Sequence, residues 1–259
     1  MRRLVEGGRA QCVLGNHEFN ILARRPKTEP SWLREDVEPF RHEGLLVPQA
    51  KAGAAEREAI LAFFGTLPLA LERPDVRVVH ACWDADMIER VRHESDALRL
   101  HEQYRAAIKE GLDQDGVADD LERTLARRNR NPVKLLTSGP AERSPTAWEL
   151  NGRVCFERRV AWWEHYRDGA LCVFGHYWRT TLPGEAPVER LFENSAPNET
   201  LGPGPAMCID YSVGKRYKER LAPGFAGSFR AQLAALRLPE GVLVFDNEPD
   251  PVPLVRRRG

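Results

Sequence analysis

Three short apolar runs in this sequence each end in a histidine. They read QCVLGNH, VRVVH and LCVFGH, and they deliver His17, His80 and His176. A short apolar run bounded by small or polar residues is the pattern of a buried strand. The carboxyl ends of such strands are where α/β sheets build their sites. A single histidine so placed has an ordinary explanation, an imidazole satisfied by a backbone carbonyl in the core. The device used three times points to an α/β sheet whose strands converge on a metal. Neutral imidazole is the commonest metal ligand, and Asn16 offers a harder amide oxygen beside it. Asn16 and His17 are neighbours in what reads as a loop, so they cannot easily face one ion together. The better division puts Asn16 on a metal and His17 on a substrate, with Glu18 holding the His17 imidazole protonated as a general acid.

Around these runs the pattern mixes strands and helices. QCVLG (11–15), CVFG (172–175) and AMCIDY read as strands, and LPLALE-RPD-VRVVHA as a hairpin turning at Arg73–Asp75. Residues 54–64 read as a helix. A helical region comes next at about 87–128, broken near Gly111 and Gly116, with Val117, Leu121 and Leu125 on one face. Asn-Pro, Ser-Gly-Pro and Ser-Pro mark 129–147 as loop, and five prolines mark 183–205 as a surface excursion. The segment FRAQLAALRLPEGVLVFD suits a helix or a hairpin equally. A domain of 259 residues can bury a sizeable core, and one domain over 1–259 is expected.

Lysine plus arginine and aspartate plus glutamate balance at 38 each, so charge gives no case for a nucleic-acid partner or an anionic membrane surface. No apolar run reaches membrane-spanning length, and MRRLVEGGRA lacks the apolar stretch of a secretory signal. Five cysteines without a CxxC pair read as reduced thiols of a cytoplasmic protein, and Cys12, Cys82, Cys172 and Cys208 lie in or beside apolar runs.

GNHE, VVHA and FGH, in that order, resemble the calcineurin-like metallophosphoesterase superfamily, in particular phosphoprotein phosphatases and symmetrical dinucleoside tetraphosphatases. The resemblance covers about 1–90 and 170–246. It implies a two-sheet αββα sandwich with two metal ions (manganese, iron or zinc) at the strands' carboxyl ends. It implies Asn16, His80 and His176 as ligands of the second metal, His17 as the acid that protonates the leaving oxygen, and Glu18 as the group orienting it. A hydroxide between the ions would attack phosphorus in line. The family's earlier motifs, Asp-x-His and Gly-Asp-x-x-Asp-Arg-Gly, are absent from the chain. They carry the first metal's ligands and the bridging carboxylate. What is left is two imidazoles and an amide, with no anionic ligand to balance a divalent ion. MRRLVEGGRA reads as the last two turns of a helix running into a strand, so the expectation is a start that lacks the fold's first strands, with a helical insertion at 87–128.

Trp83 and Asp84 come directly after VVHA and are candidates for substrate contact, as is Arg179 beyond His176, which would pair with a phosphate oxygen. Trp162 and Trp163 read as core. His42, His93, His101 and His165 read as solvated. SVGKRY lacks a phosphate-loop arrangement. The leading expectation is a metal-dependent hydrolase of phosphomonoesters resembling serine/threonine phosphoprotein phosphatases. The alternatives are a dinucleoside polyphosphate hydrolase and a catalytically inactive fragment that binds a phosphorylated ligand.

Overall fold

In the computed structural model, residues 1–24, 32–33, 41–42, 45–46, 49–150, 153–179 and 191–257 are described. The helices are α1 Arg2–Glu6, α2 Asn16–Leu22, α3 Ala54–Gly65, α4 Ala85–Val91, α5 Ala97–Gln114, α6 Asp120–Asn129, α7 Pro132–Ser138 and α8 Arg216–Leu221. The strands are β1 Arg41–His42, β2 Leu45–Leu46, β3 Ala70–Glu72, β4 Val76–Val79, β5 Ala141–Leu150, β6 Arg153–Arg159, β7 Leu171–Phe174, β8 Ala206–Cys208, β9 Ala234–Arg237, β10 Val242–Phe245 and β11 Val252–Pro253.

The sheet that positions the site has the order β3-β4-β7-β8. β3 and β4 form the antiparallel hairpin expected at Arg73–Asp75, where the Arg73 N–H donates to the Val76 carbonyl at 2.8 Å. β4, β7 and β8 run parallel, so their carboxyl ends open at one edge. Side chains alternate along β7 as a strand requires. Leu171 and Val173 join Met207, Leu243 and Phe245 on one face, while Cys172 and Phe174 join Leu14, Val79, Leu136 and Trp163 on the other. Leu243 and Phe245 come from β10 of the antiparallel sheet β11-β10-β9, so a second sheet packs on the first face. Helices supply much of the opposite cluster: Phe19 of α2, Ile88 of α4, Leu100 of α5 and Val133 of α7. A buried side chain of this size contributes about 1.5–3 kcal/mol. These two clusters therefore fix which strand ends lie together.

Several expectations change. QCVLG joins no ladder among the described residues; the Leu14 N–H donates instead to the Pro68 carbonyl. The segment 129–147 is not loop. Asn131 caps α7, its side chain accepting from the Lys134 N–H with Pro132 in the first turn, and β5 begins at Ala141. Asn-Pro here starts a helix, because the ring fixes a helical φ where no N–H is needed. Ser-Pro falls where the β5–β6 register shifts, between Arg143 and Trp148. The helical run breaks at 92–96 and 115–119, with Gly111 inside α5, and continues to Ser138. The ambiguous end is the β9–β10 hairpin. His101 is buried against Phe19, whereas His93 and His165 are exposed. His42 and residues 183–190 of the proline-rich excursion lie outside the described side chains and residues.

Trp162 and Trp163 are both buried, Trp163 stacking on Phe174 and Phe192. Cys82, Cys172 and Cys208 are buried thiols, and Cys12 and Cys155 are half-buried. Among the described residues no helix is long and apolar enough to cross a membrane.

Candidate functional site

GNHE does not end a strand; it opens a helix. Gly15 is extended and caps α2, and Asn16, His17 and Glu18 form the first turn. His80 comes directly after β4 and His176 lies two residues beyond β7, so adjacent parallel strands bring both imidazoles to one edge. The ring centroids are 5.3 Å apart. Asn16 Oδ1 lies between them, 2.9 Å from His80 Nε2 and 3.2 Å from His176 Nδ1. The three residues that the resemblance assigns to the second metal thus lie together.

An amide oxygen only accepts, so each contacting imidazole nitrogen donates to it. A cation in place of those two protons would meet two imidazole lone pairs and one amide oxygen. The donor types therefore fit one borderline divalent ion. Among the described residues no cluster of three or more His, Cys, Asp or Glu side chains is placed to hold a metal, and the third donor here is an amide. Burial pushes the His80 imidazole down to about 4, helped by the charge of His17. Burial and then Arg159 push His176 down to about 2. Both rings are neutral at pH 7, the form that binds metals.

His176 has a left-handed backbone, φ 70°. Such a conformation costs of order 1–3 kcal/mol outside glycine and persists where surroundings fix it. Here the Arg159 guanidinium donates to the His176 carbonyl at 3.0 Å, and the Asp210 carboxylate lies beside its backbone. Asp210 accepts from the Ser212 N–H at 3.0 Å, and burial raises its pKa. The sequence reading passed over Asp210. Its signal was available, since it too stands just beyond a strand, β8, in AMCIDY.

Asn16 and His176 border a cavity of about 290 Å³. Its sides include Arg128 at the end of α6 and Glu157, Arg158 and Arg159 of β6. Arg128 also donates to the Ser138 and Gly139 carbonyls at the end of α7. These arginines escaped the sequence reading because β6 adjoins a stretch taken for loop, and charged residues there look like an ordinary solvated face.

His17 is exposed and makes no hydrogen bond to Glu18 in the structure. Successive helical residues do not face each other, so the expected orienting pair does not form. Glu18 turns instead toward Gly15. The point where a Cβ on Gly15 would sit is 2.5 Å from Glu18 Oε2 and 2.8 Å from His80 Nδ1.

The substrate candidates separate. Trp83 and Asp84 border a different cavity, of about 720 Å³, with Trp162, Tyr166 and Arg77. Asp84 caps α4 by accepting from the Met87 N–H, and Trp83 is buried under the Arg77 guanidinium, 4.8 Å from its centroid. Arg179 is 1% exposed. Its guanidinium donates to the Ala196 carbonyl and lies over Phe192 and Tyr211, so it holds the core rather than a phosphate.

No family model and no solved structure matches the chain. It is 29% identical over 195 residues to a symmetrical bis(5'-nucleosyl)-tetraphosphatase of Aeromonas hydrophila, and equally to one of Aeromonas salmonicida. Each match covers 66% of this chain and 63% of the relative, so the chain spans less than two thirds of the relatives' length. With GNHE, VVHA and FGH carrying side chains that meet at one point, this similarity supports the resemblance of the chain to the calcineurin-like metallophosphoesterase superfamily.

Proposed function

We propose that the chain belongs to a metal-dependent phosphohydrolase acting on dinucleoside polyphosphates. The phosphoprotein reading expected first has less support, because the relatives carry the name of a tetraphosphatase. The observation that carries the proposal is the convergence of Asn16, His80 and His176 beside an arginine-bordered cavity. A polyphosphate chain is a linear polyanion, and guanidinium groups are suited to its oxygens. A divalent ion held by Asn16, His80 and His176 would neutralise charge on the phosphoryl group. Water would add to one phosphorus and lose a proton to solvent, the bridging P–O bond would break, and His17 would give its proton to the leaving oxygen and be reprotonated from solvent. Asp210 and Arg159 keep His176 in its left-handed conformation so that its ring meets Asn16.

A second reading has its own observation: the converging donors are all neutral, which favours binding of a phosphorylated ligand without turnover. One experiment separates the two. Diadenosine tetraphosphate is incubated with the chain and manganese, and products are resolved by anion exchange. Turnover that is lost in His17→Ala and His80→Ala supports the hydrolase. Turnover retained in both variants refutes the assigned roles. Binding without turnover in the wild type supports the second reading.

A further inference from the structure

Trp178 stands two residues beyond His176, and its neighbours Tyr177 and Arg179 are 0% and 1% exposed. Trp178 itself is 54% exposed. The stretch after β7 therefore turns two side chains into the core and one large aromatic ring outward. That ring is not isolated. The Arg159 guanidinium and the Lys215 ammonium each lie 5.8 Å from its centroid. Arg159 also borders the cavity at Asn16 and donates to the His176 carbonyl, so one residue ties the exposed ring to the candidate site. Two residues of chain span at most about 7 Å. That is the scale of the ribose separating a base from its first phosphate.

A half-exposed aromatic ring beside two cations, one of which borders the cavity, offers two complementary surfaces. Its face stacks on any planar base, and the adjacent charges attract the phosphate joined to that base. We propose that Trp178 is the stacking platform for one nucleobase of the substrate, and so a specificity-determining residue. This inference rests on the dinucleoside polyphosphate reading above. Trp178 gives binding to the nucleoside end of a ligand, while Arg128 and Arg159 act on its phosphates. A free phosphate chain gains nothing from the ring.

Calorimetry with manganese present tests it, using a methylene-bridged diadenosine tetraphosphate that resists hydrolysis and, separately, inorganic tripolyphosphate. Trp178→Ala should bind the dinucleotide about tenfold more weakly, the scale of losing one base–aromatic stack, and bind tripolyphosphate as the wild type does. Trp178→Phe should keep most of the dinucleotide affinity. Unchanged dinucleotide affinity in Trp178→Ala would overturn the inference. Equal weakening toward both ligands would also overturn it, showing that the ring only positions Arg159. A wild type that binds tripolyphosphate as tightly as the dinucleotide would refute the nucleotide reading itself, and the inference would fall with it.

Discussion

Replacing Gly15 by alanine probes the candidate site at its tightest point. The Gly15 backbone, φ −94° and ψ 171°, is open to any residue, so the substitution is tested by space alone. The new methyl group would stand 2.5 Å from Glu18 Oε2 and 2.8 Å from His80 Cε1 and Nδ1. The Glu18 carboxylate is the end of a flexible chain and can rotate aside. The His80 ring has less freedom, because it is half-buried against the His176 ring and held by Asn16 at 2.9 Å. Restoring ordinary contact moves the ring by about 0.6 Å, which stretches its bond to Asn16 toward the limit of hydrogen bonding. Overpacking of this kind costs about 1–3 kcal/mol. Alanine is also a poorer helix cap than glycine. A loss of about 2 kcal/mol lowers the melting temperature by about 4–8 °C in a chain of this size. Disturbing the ligand geometry should weaken manganese binding by about tenfold or more. Differential scanning calorimetry and titration of the free manganese signal by electron paramagnetic resonance read the two effects. Wild-type melting together with wild-type manganese affinity would refute the reasoning. So would full rescue by adding Glu18→Ala, since that would place the clash on the carboxylate rather than on the imidazole.

Two further substitutions test how the site is supported. Asn131 is 1% exposed, caps α7 and donates to the His101 carbonyl at 2.9 Å, so Asn131→Ala should lower stability by about 2 kcal/mol in urea denaturation, with Asn131→Asp intermediate because it keeps only the cap. Asp246 accepts two hydrogen bonds from Arg216, at 2.6 and 2.7 Å, and this pairing holds its pKa below the usual carboxylate range. A depressed folded pKa gives stability that is present above the unfolded value and lost as pH falls through the folded one. Asp246→Asn should therefore lower the melting temperature at pH 7, and the gap should close as pH falls below about 4; a gap constant with pH would contradict the assignment.

Periodicity carried much of this fold. The unbroken apolar run marks β7 as a strand buried on both faces, and the turn residues at Arg73–Asp75 locate the hairpin that delivers His80. Reading failed where one local pattern has two physical uses. Asn-Pro stops a helix or starts one, depending on whether the asparagine caps the next segment, and at Asn131 it starts α7. QCVLG looks like a strand because burial alone makes a run apolar. Whether it pairs depends on a neighbouring strand that the run does not encode. His101 looked solvated because its sequence neighbours are charged, yet helical rotation turns it inward against Phe19 while Glu102 stays exposed.

The site divides the same way. Residue type and strand pattern pointed to a metal near His17, His80 and His176 with Asn16 beside them, and the family resemblance of GNHE, VVHA and FGH selected Asn16, His80 and His176 as the set. Their meeting, with one oxygen 2.9 and 3.2 Å from two rings, required the parallel pairing of β4 with β7. Folding alone gave Asp210 and Arg159 their grip on His176 and turned Glu18 away from His17. It also sank Arg179 into the core and left Trp178 at the surface. Local pattern constrains each residue's own backbone, while the partner of a charged or aromatic side chain is chosen by contacts between distant segments.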